Sequence, residues 1–493
     1  MRAPILLPLL LMLGAAPIAG QSLAGEPQKP AAPAVAPKPA PASKDATKDA
    51  DKTKAAAVTV SLPFEKYKLD NGLEVVLHED HRTPVVAVNI WYHVGSKDEP
   101  AGKNGFAHLF EHVMFQGSKH VGEDMFFKYL ERAGASERNG TTNTDRTNYF
   151  ETVPANELPL VLWLESDRMG FLLDHADKET FVSQREVVKN ERRQNYENAP
   201  YGLVYSFIVG ALYPKGHPYH LTTIGTPEDL DAASLDDVKA FFRTFYLPNN
   251  ATLVVAGDID KARVKEQVQR YFGPLARGAE PPVKRTPIPV SLEGEKKLEV
   301  EAGVELPRVI LSWPSPPQFA AGDAELDLAA NVLSHGKSSR LYKRLVYDLQ
   351  IAQDVSASQG SDLLGGMFQV SVTLKKDKPI AEVQKILDEE MAKLRKAPPT
   401  ADELERARTD YVSALVLTLE SVTTRANLLN SYNQATGDPG YLEKDIARYE
   451  AVKADAVQRA VATYLPEGKR VVTIVTPKSG APRAGRLTSG EKP

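Results

Sequence analysis

One pattern occurs twice in this chain. Asp237, Tyr246-Leu247-Pro248 and Leu253-Val254 recur as Asp455, Tyr464-Leu465-Pro466 and Val471-Val472, each 218 residues later, position 464 against 246. A helix that ends at Tyr-Leu-Pro and hands over to an apolar strand is therefore used in both halves. Duplication of one folding unit accounts for this, and so would two independent uses of the same helix-to-strand punctuation. Length supports the first account: 493 residues exceed what a single hydrophobic core usually organises, so at least two domains are expected.

Composition marks where the folded part starts and stops. Residues 1–24 carry Arg2, an apolar stretch too short and too proline-broken to span a bilayer, and a small-x-small cleavage site at Ser22-Leu23-Ala24. This reads as an export signal peptide. Residues 25–58 are mostly Pro, Ala, Lys and Asp and predict an extended linker without a core of its own. The expected order is then an N-terminal domain over 59–277, a Pro-rich connection over 278–293, a C-terminal domain over 294–478 and a flexible tail over 479–493. No later segment is apolar enough to cross a membrane. The chain has no cysteine, which removes disulfides, thiol nucleophiles and thiolate metal ligands. A net charge of −4, with no basic block in the folded part, gives no reason to expect nucleic acid or an anionic membrane surface. A periplasmic protein is expected, with an extracellular one as the other option.

Local patterns give an α+β class. Leu69, the turn Asp70-Asn71-Gly72 and Leu73 to Leu77 predict a hairpin, and Val85 to Val94 a further strand. Helical stretches follow around His108 and from Phe181 to Tyr196, before Ala251 to Ala256 returns to strand. In the second half Phe368, Val370, Val372 and Leu374 alternate as a half-buried strand. Ile380, Val383, Leu387, Met391 and Leu394 then mark a helix face, and Thr400 with Glu403 forms a capping box. Strands, then helices, then strands again favour α+β over a doubly wound sheet.

The chemistry is concentrated in His108-Leu109-Phe110-Glu111-His112. On a helix the two histidines lie one turn apart on one face with Glu111 beside them, while Leu109, Phe110, Val113 and Met114 face the core. Two such imidazoles can hold one zinc ion, and the carboxylate between them can take a proton from water, in the inverted order of the better known zinc-protease helix. A catalytic zinc needs a third protein ligand from elsewhere. Glu186 and Glu191, on the expected helix from Gln184, are candidates. Being five residues apart, at most one of them can face the metal. Glu165 and Asp167 are further candidates, and spacing alone does not choose.

Together these stretches resemble the pitrilysin or insulinase family of zinc metallopeptidases, and within it the half-length bacterial branch similar to beta-type subunits of mitochondrial processing peptidase. The resemblance runs from about Lys66 to Pro477. It is carried by Gly105 to His112 with Phe115 and Gly117-Ser118, by Arg138-Asn139-Gly140 through Thr147 and Tyr149, by Glu165-Ser166-Asp167-Arg168, by Gln184 to Glu191, by His217-Pro218-Tyr219 with Ile224-Gly225, and by Tyr246-Leu247-Pro248.

The resemblance implies two homologous domains, each a mostly antiparallel sheet with helices packed on one face, closing a chamber over unfolded peptides or small proteins. It implies one zinc ion per chain, held by His108, His112 and Glu191, with Glu111 as general base. Asn139 matches a residue that contacts the substrate backbone beside an edge strand, although Asn-Gly also suits a turn. Gln184 stands where the family usually has Glu, so it can offer a hydrogen bond near the metal but no charge.

In the second half, Ser338 to Tyr342 and Ile351 to Val355 resemble the segment that normally supplies an Arg and a Tyr to the substrate. The aligned positions are Val346 and Gln353. Arg340 and Tyr347 have a similar spacing, but using them breaks both flanking matches. By analogy with the two-subunit processing peptidases, a homologous non-zinc subunit is expected to complete the site as a heterodimer, with a homodimer as the other possibility. The competing expectation is a non-catalytic subunit that keeps the metal motif. Gly336-Lys337-Ser338 is not read as a phosphate loop, because Asn331 occupies the place of its first glycine.

Overall fold

The structure is a computed structural model that describes residues 60–489; the signal peptide and linker expected over 1–58 lie outside the described residues. The first half begins with the expected hairpin, β1 (Glu65–Lys68) and β2 (Glu74–Glu79), followed by β3 (Val85–Tyr92). Two short helices come next, α1 (Phe106–Val113) and α2 (Met125–Arg132), and then a second hairpin, β4 (Glu137–Thr142) and β5 (Thr147–Pro154). Five helices follow: α3 (Leu158–Phe171), α4 (Lys178–Arg192), α5 (Val204–Leu212), α6 (Pro227–Asp231) and α7 (Leu235–Phe245). The half closes with β6 (Ala251–Gly257) and α8 (Lys261–Phe272), and no strand or helix lies between α8 and residue 296.

The second half repeats the plan. It runs through β7 (Lys296–Ala302), β8 (Arg308–Ser315), α9 (Asp323–Ser334), β9 (Ala352–Ser361) and β10 (Gly366–Leu374). The helices α10 (Ile380–Lys396), α11 (Ala401–Thr418), α12 (Val422–Thr436), α13 (Leu442–Ala451) and α14 (Ala454–Tyr464) precede β11 (Val471–Pro477) and β12 (Arg486–Ser489).

The two six-stranded sheets have matching orders, β1-β2-β6-β3-β5-β4 and β12-β7-β11-β8-β10-β9. In each, one pair is parallel, β2 with β6 and β7 with β11, and the other neighbours are antiparallel. The repeated Tyr-Leu-Pro pattern falls at the same place in both, between α7 and β6 and between α14 and β11. The edge strand beside the parallel pair has different origins. β1 comes from the start of its domain and β12 from the end of the chain. Of the flexible tail expected over 479–493, the described part, as far as Ser489, is instead tied to the sheet: Arg486 and Leu487 pair with Glu301 and Val300 of β7. Arg486-Leu487-Thr488-Ser489, with a single large apolar residue, is too short to carry a strand signal of its own, and the unpaired edge of β7 supplies the partner.

Each sheet packs its own helices on one face. Val75, Leu77, Val86, Val88, Ile90, Leu253 and Val255 point into the core shared with α1, α3, α7 and α8. Their alternate neighbours Val76, Ala87, Val254 and Ala256 are equally buried, but against Leu419, Val422, Ala426 and Leu429 around α12 of the other half. The exchange is reciprocal, because Val204, Ile208 and Leu212 of α5 cover Leu298, Val300, Val471 and Val475 of the second sheet. Strands buried on both faces lose the apolar-polar alternation of a half-exposed sheet, which is why β3 and β6 read as continuous apolar runs.

Candidate metal centre

α1 is short, and its start is fixed from outside. The buried carboxylate of Glu99 accepts hydrogen bonds from Gly105 N at 3.1 Å, Ala107 N at 2.8 Å and Asn104 Nδ2 at 3.1 Å. Its oxygens satisfy otherwise orphaned N–H groups, although burial pushes the carboxyl pKa up to about 8. Leu109, Phe110 and Val113 then enter the core, which turns His108, Glu111 and His112 toward α4 and β4.

Glu191, in the last turn of α4, faces both histidines. His112 Nε2 lies 3.3 Å from Glu191 Oε2 and His108 Nε2 lies 3.7 Å from Glu191 Oε1. The potential ligand atoms all fall within 4.8 Å of one another, and the two imidazole rings stand nearly perpendicular at 86°. Ligands bonded to one tetrahedral zinc at about 2.1 Å sit about 3.4 Å apart, so these separations suit a single shared ion. Glu191 Oε1 is also buried without any hydrogen-bond partner, an unpaired acceptor that a cation would satisfy.

The protonation preferences of His108 and Glu191 agree with this donor set, and that of His112 runs the other way. Burial, reinforced by His112, lowers the pKa of His108 and favours the neutral imidazole that binds metal. Burial acts the same way on His112, but the hydrogen bond to Glu191 and the charge of Glu111 outweigh it and raise its pKa. Burial raises Glu191, and its contacts with His112 and His108 more than reverse this, leaving it below the usual carboxylate range. The residues fit a bound zinc through two imidazole nitrogens and one carboxylate oxygen, and binding requires His112 to give up the proton that Glu191 and Glu111 favour on it.

Glu111 is buried beside this trio. Thr142 Oγ1, at the end of β4, donates to Glu111 Oε2 at 2.6 Å, while Oε1 accepts no hydrogen bond from the described residues. The glycine at position 140 eases the close approach of β4 to α1. A Cβ there would lie 3.0 Å from both Glu111 Cγ and Phe115 Cε2.

The other carboxylates considered as third ligands are engaged elsewhere. Glu165 is buried against Arg168, Asp167 pairs with Ser118 and His120, and Glu186 faces Lys189. Asn139 sits within β4, the outer strand of its sheet, rather than in a turn, and its Oδ1 accepts from Gly140 N at 2.9 Å. Gln184 is half-buried on α4 and makes no hydrogen bond to His108, His112 or Glu191.

Val346 is half-buried against the second core and Gln353 is exposed at the start of β9. Arg340 makes two 2.7 Å bonds to Glu403 within its own half, and Tyr347 is 72% exposed, so these two do not form a pair. Sequence reasoning missed Glu99 and Thr142. Thr142 falls inside the matched stretch from Arg138 to Tyr149, but no spacing rule separates it from the other threonines there.

With this geometry established, the relatives are informative. Residues 74–213 match the family described as insulinase (peptidase family M16), and residues 232–411 match its peptidase M16 inactive domain. The chain is 30% identical to the zinc protease PqqE of Helicobacter pylori over 75% of this chain and 83% of the relative. It is 24% identical to the mitochondrial-processing peptidase subunit beta of Lentinula edodes, covering 84% of this chain and 90% of the relative. A crystal structure of a protease from Helicobacter pylori superposes with a TM-score of 0.78 at 28% identity, over 84% of this chain and all of that one. The helix that carries His108, Glu111 and His112, the facing Glu191, the paired sheets and these relatives agree, and the chain belongs to the insulinase family of peptidases, family M16.

Proposed function

We propose that this chain is a zinc-dependent endopeptidase that cleaves unfolded peptides or small proteins, with Glu111 as the general base. The convergence of His108, His112 and Glu191 next to Glu111 supports the reading most directly. Bound zinc would supply Lewis acidity, making a water easier to deprotonate and a peptide carbonyl easier to attack. Thr142 holds Glu111 Oε2, so Oε1 is the oxygen left to take the proton. The outer edge of β4, with Asn139 on it, suits an extended peptide added as a further strand beside the metal.

A non-catalytic subunit is the second reading, and Val346 and Gln353 favour it, since the chain lacks the usual Arg and Tyr at those positions. A homologous partner that supplies both contacts reconciles that lack with activity. The export-signal pattern of residues 1–24 supports a location outside the cytoplasm, in the periplasm or beyond.

One preparation of the exported protein tests these points together. Metal analysis should find about one zinc per chain, and Glu111→Gln should lower turnover of a fluorogenic peptide about 1000-fold while zinc is retained. Equal turnover by both proteins would remove Glu111 from the mechanism. Full activity of the lone chain as a monomer or homodimer would dismiss the partner, and a mature N-terminus that retains residues 1–24 would dismiss the cleaved signal.

A further inference from the structure

His217-Pro218-Tyr219 lies between α5 and α6, outside the metal centre, yet Tyr219 is buried and makes two contacts, one within its own half and one that joins the halves. Its hydroxyl donates to Asp145 Oδ1 at 2.7 Å and accepts from Leu364 N at 3.0 Å. Asp145 Oδ2 in turn accepts from Leu363 N at 2.8 Å. A phenol can donate to a carboxylate and accept from an amide at once, and a phenylalanine can do neither. The imidazole of His217 supports this arrangement, stacking on Tyr213 and accepting from Tyr219 N at 3.0 Å. Tyr219 and Asp145 thus staple the β9–β10 turn of the second half to the β4–β5 turn of the first.

The β4–β5 turn has little freedom once stapled. Asn143 Oδ1 accepts from Asp145 N and Arg146 N at 2.8 and 2.9 Å. Asp145 O accepts from the buried Lys97 Nζ and from Gln434 Nε2 of α12, each at 3.0 Å. Gly95 packs so tightly on the turn that a Cβ there would lie 2.4 Å from Thr144 O. Three residues before Asp145 stands Thr142, whose hydroxyl holds Glu111.

We propose that Tyr219 and Asp145 are positioning residues, which make the orientation of Glu111 through Thr142 depend on docking of the C-terminal half. The inference rests on Glu111 being the general base. It gives the second half a part in the chemistry although that half carries no metal ligand. Neither residue touches the metal ligands, so their effect should fall on turnover rather than on zinc.

The test compares the zinc-loaded full chain with Tyr219→Phe, Thr142→Val and the double variant on the same fluorogenic peptide. Tyr219→Phe keeps the ring in its pocket and is expected to lower kcat about tenfold with KM within about twofold and zinc content unchanged. The double variant should be no more than about twofold slower than Thr142→Val, because both changes act on one hydrogen bond. Losses that multiply, or a Tyr219→Phe effect confined to KM or zinc content, would reduce the staple to a fold contact and overturn the proposal.

Hydrogen exchange gives a readout without catalysis. Amides from Thr142 to Thr147 should exchange faster in Tyr219→Phe, together with Leu363 and Leu364, and unchanged rates over Thr142 to Thr147 would also overturn the coupling. Wild-type turnover in Glu111→Gln would instead indict the general-base reading, which separates that failure from failure of the staple.

Discussion

The two halves are built alike and equipped differently. In the first, α1 follows β3 and turns two imidazoles and a carboxylate toward the sheet edge; in the second, α9 follows β8 and places Leu326, Leu328, Ala329, Val332 and Leu333 in the core. The polar groups of α9 point to a structural role. Asp323 lies near Arg448, and Asp327 accepts a hydrogen bond from Tyr449 at 2.7 Å, so both are spent on holding α13. One scaffold therefore positions a helix at the same place twice, and only the residues on the stripe that does not enter the core decide whether that place can hold a metal.

The strongest way to break this contrast is to remove the ligand that comes from a different helix. Glu191→Ala leaves two histidines, too few for a closed zinc site, and should reduce zinc from about one per chain to less than about a tenth after dialysis. Peptide cleavage should fall with it. Zinc retained at full stoichiometry in this variant would mean that the metal is held elsewhere, and the second half would need re-examination as a site.

Legibility in the sequence followed distance along the chain. His108, Glu111 and His112 were readable because the α-helical period alone brings them to one face. Spacing alone did not single out Glu191, since the same helix offers Glu186; the family resemblance pointed to it, and packing turns Glu186 to Lys189 and Glu191 to the histidines. The first hairpin, the strands beginning near Val85, Ala251 and Phe368, and the Thr400–Glu403 capping box were local and were read correctly. The exchange of α5 and α12 was invisible for another reason. An apolar face announces that a helix will be buried but not which sheet buries it, and α12 mixes Ala426 and Leu429 with the buried Asn430 and Asn433.

That exchange makes a second, smaller prediction about the halves. Leu429 is fully buried on the first sheet although its chain segment belongs to the second half, and Leu429→Ala should cost about 2–5 kcal/mol. Because α5 and α12 each cap the other half's sheet, denaturant unfolding should remain a single transition at a lower midpoint. Two separated transitions, with only one half shifted, would show that the halves are independent units that merely touch.

The smallest effect expected is at a charged contact across the same junction. Arg425 of α12 donates to Asp80 Oδ2 at 2.7 Å, where both side chains are nearly buried. Arg82 also bonds Asp80, and it is the first cause of an Asp80 pKa far below the usual range, followed by the charge of Arg425 against some burial. Arg82 is 73% exposed, so its share counts for little in stability. A carboxylate whose folded pKa is depressed stabilises the fold above its unfolded pKa, about 3.9, and loses that contribution as pH falls toward the folded value. Asp80→Asn should therefore cost about 1.5 kcal/mol near neutral pH, and the gap to wild type should narrow as pH drops below about 4. Unfolding midpoints of the two proteins at pH 7 and pH 3 measure it. A gap that stays constant across that range would mean that the Asp80 charge does not help to hold the halves together.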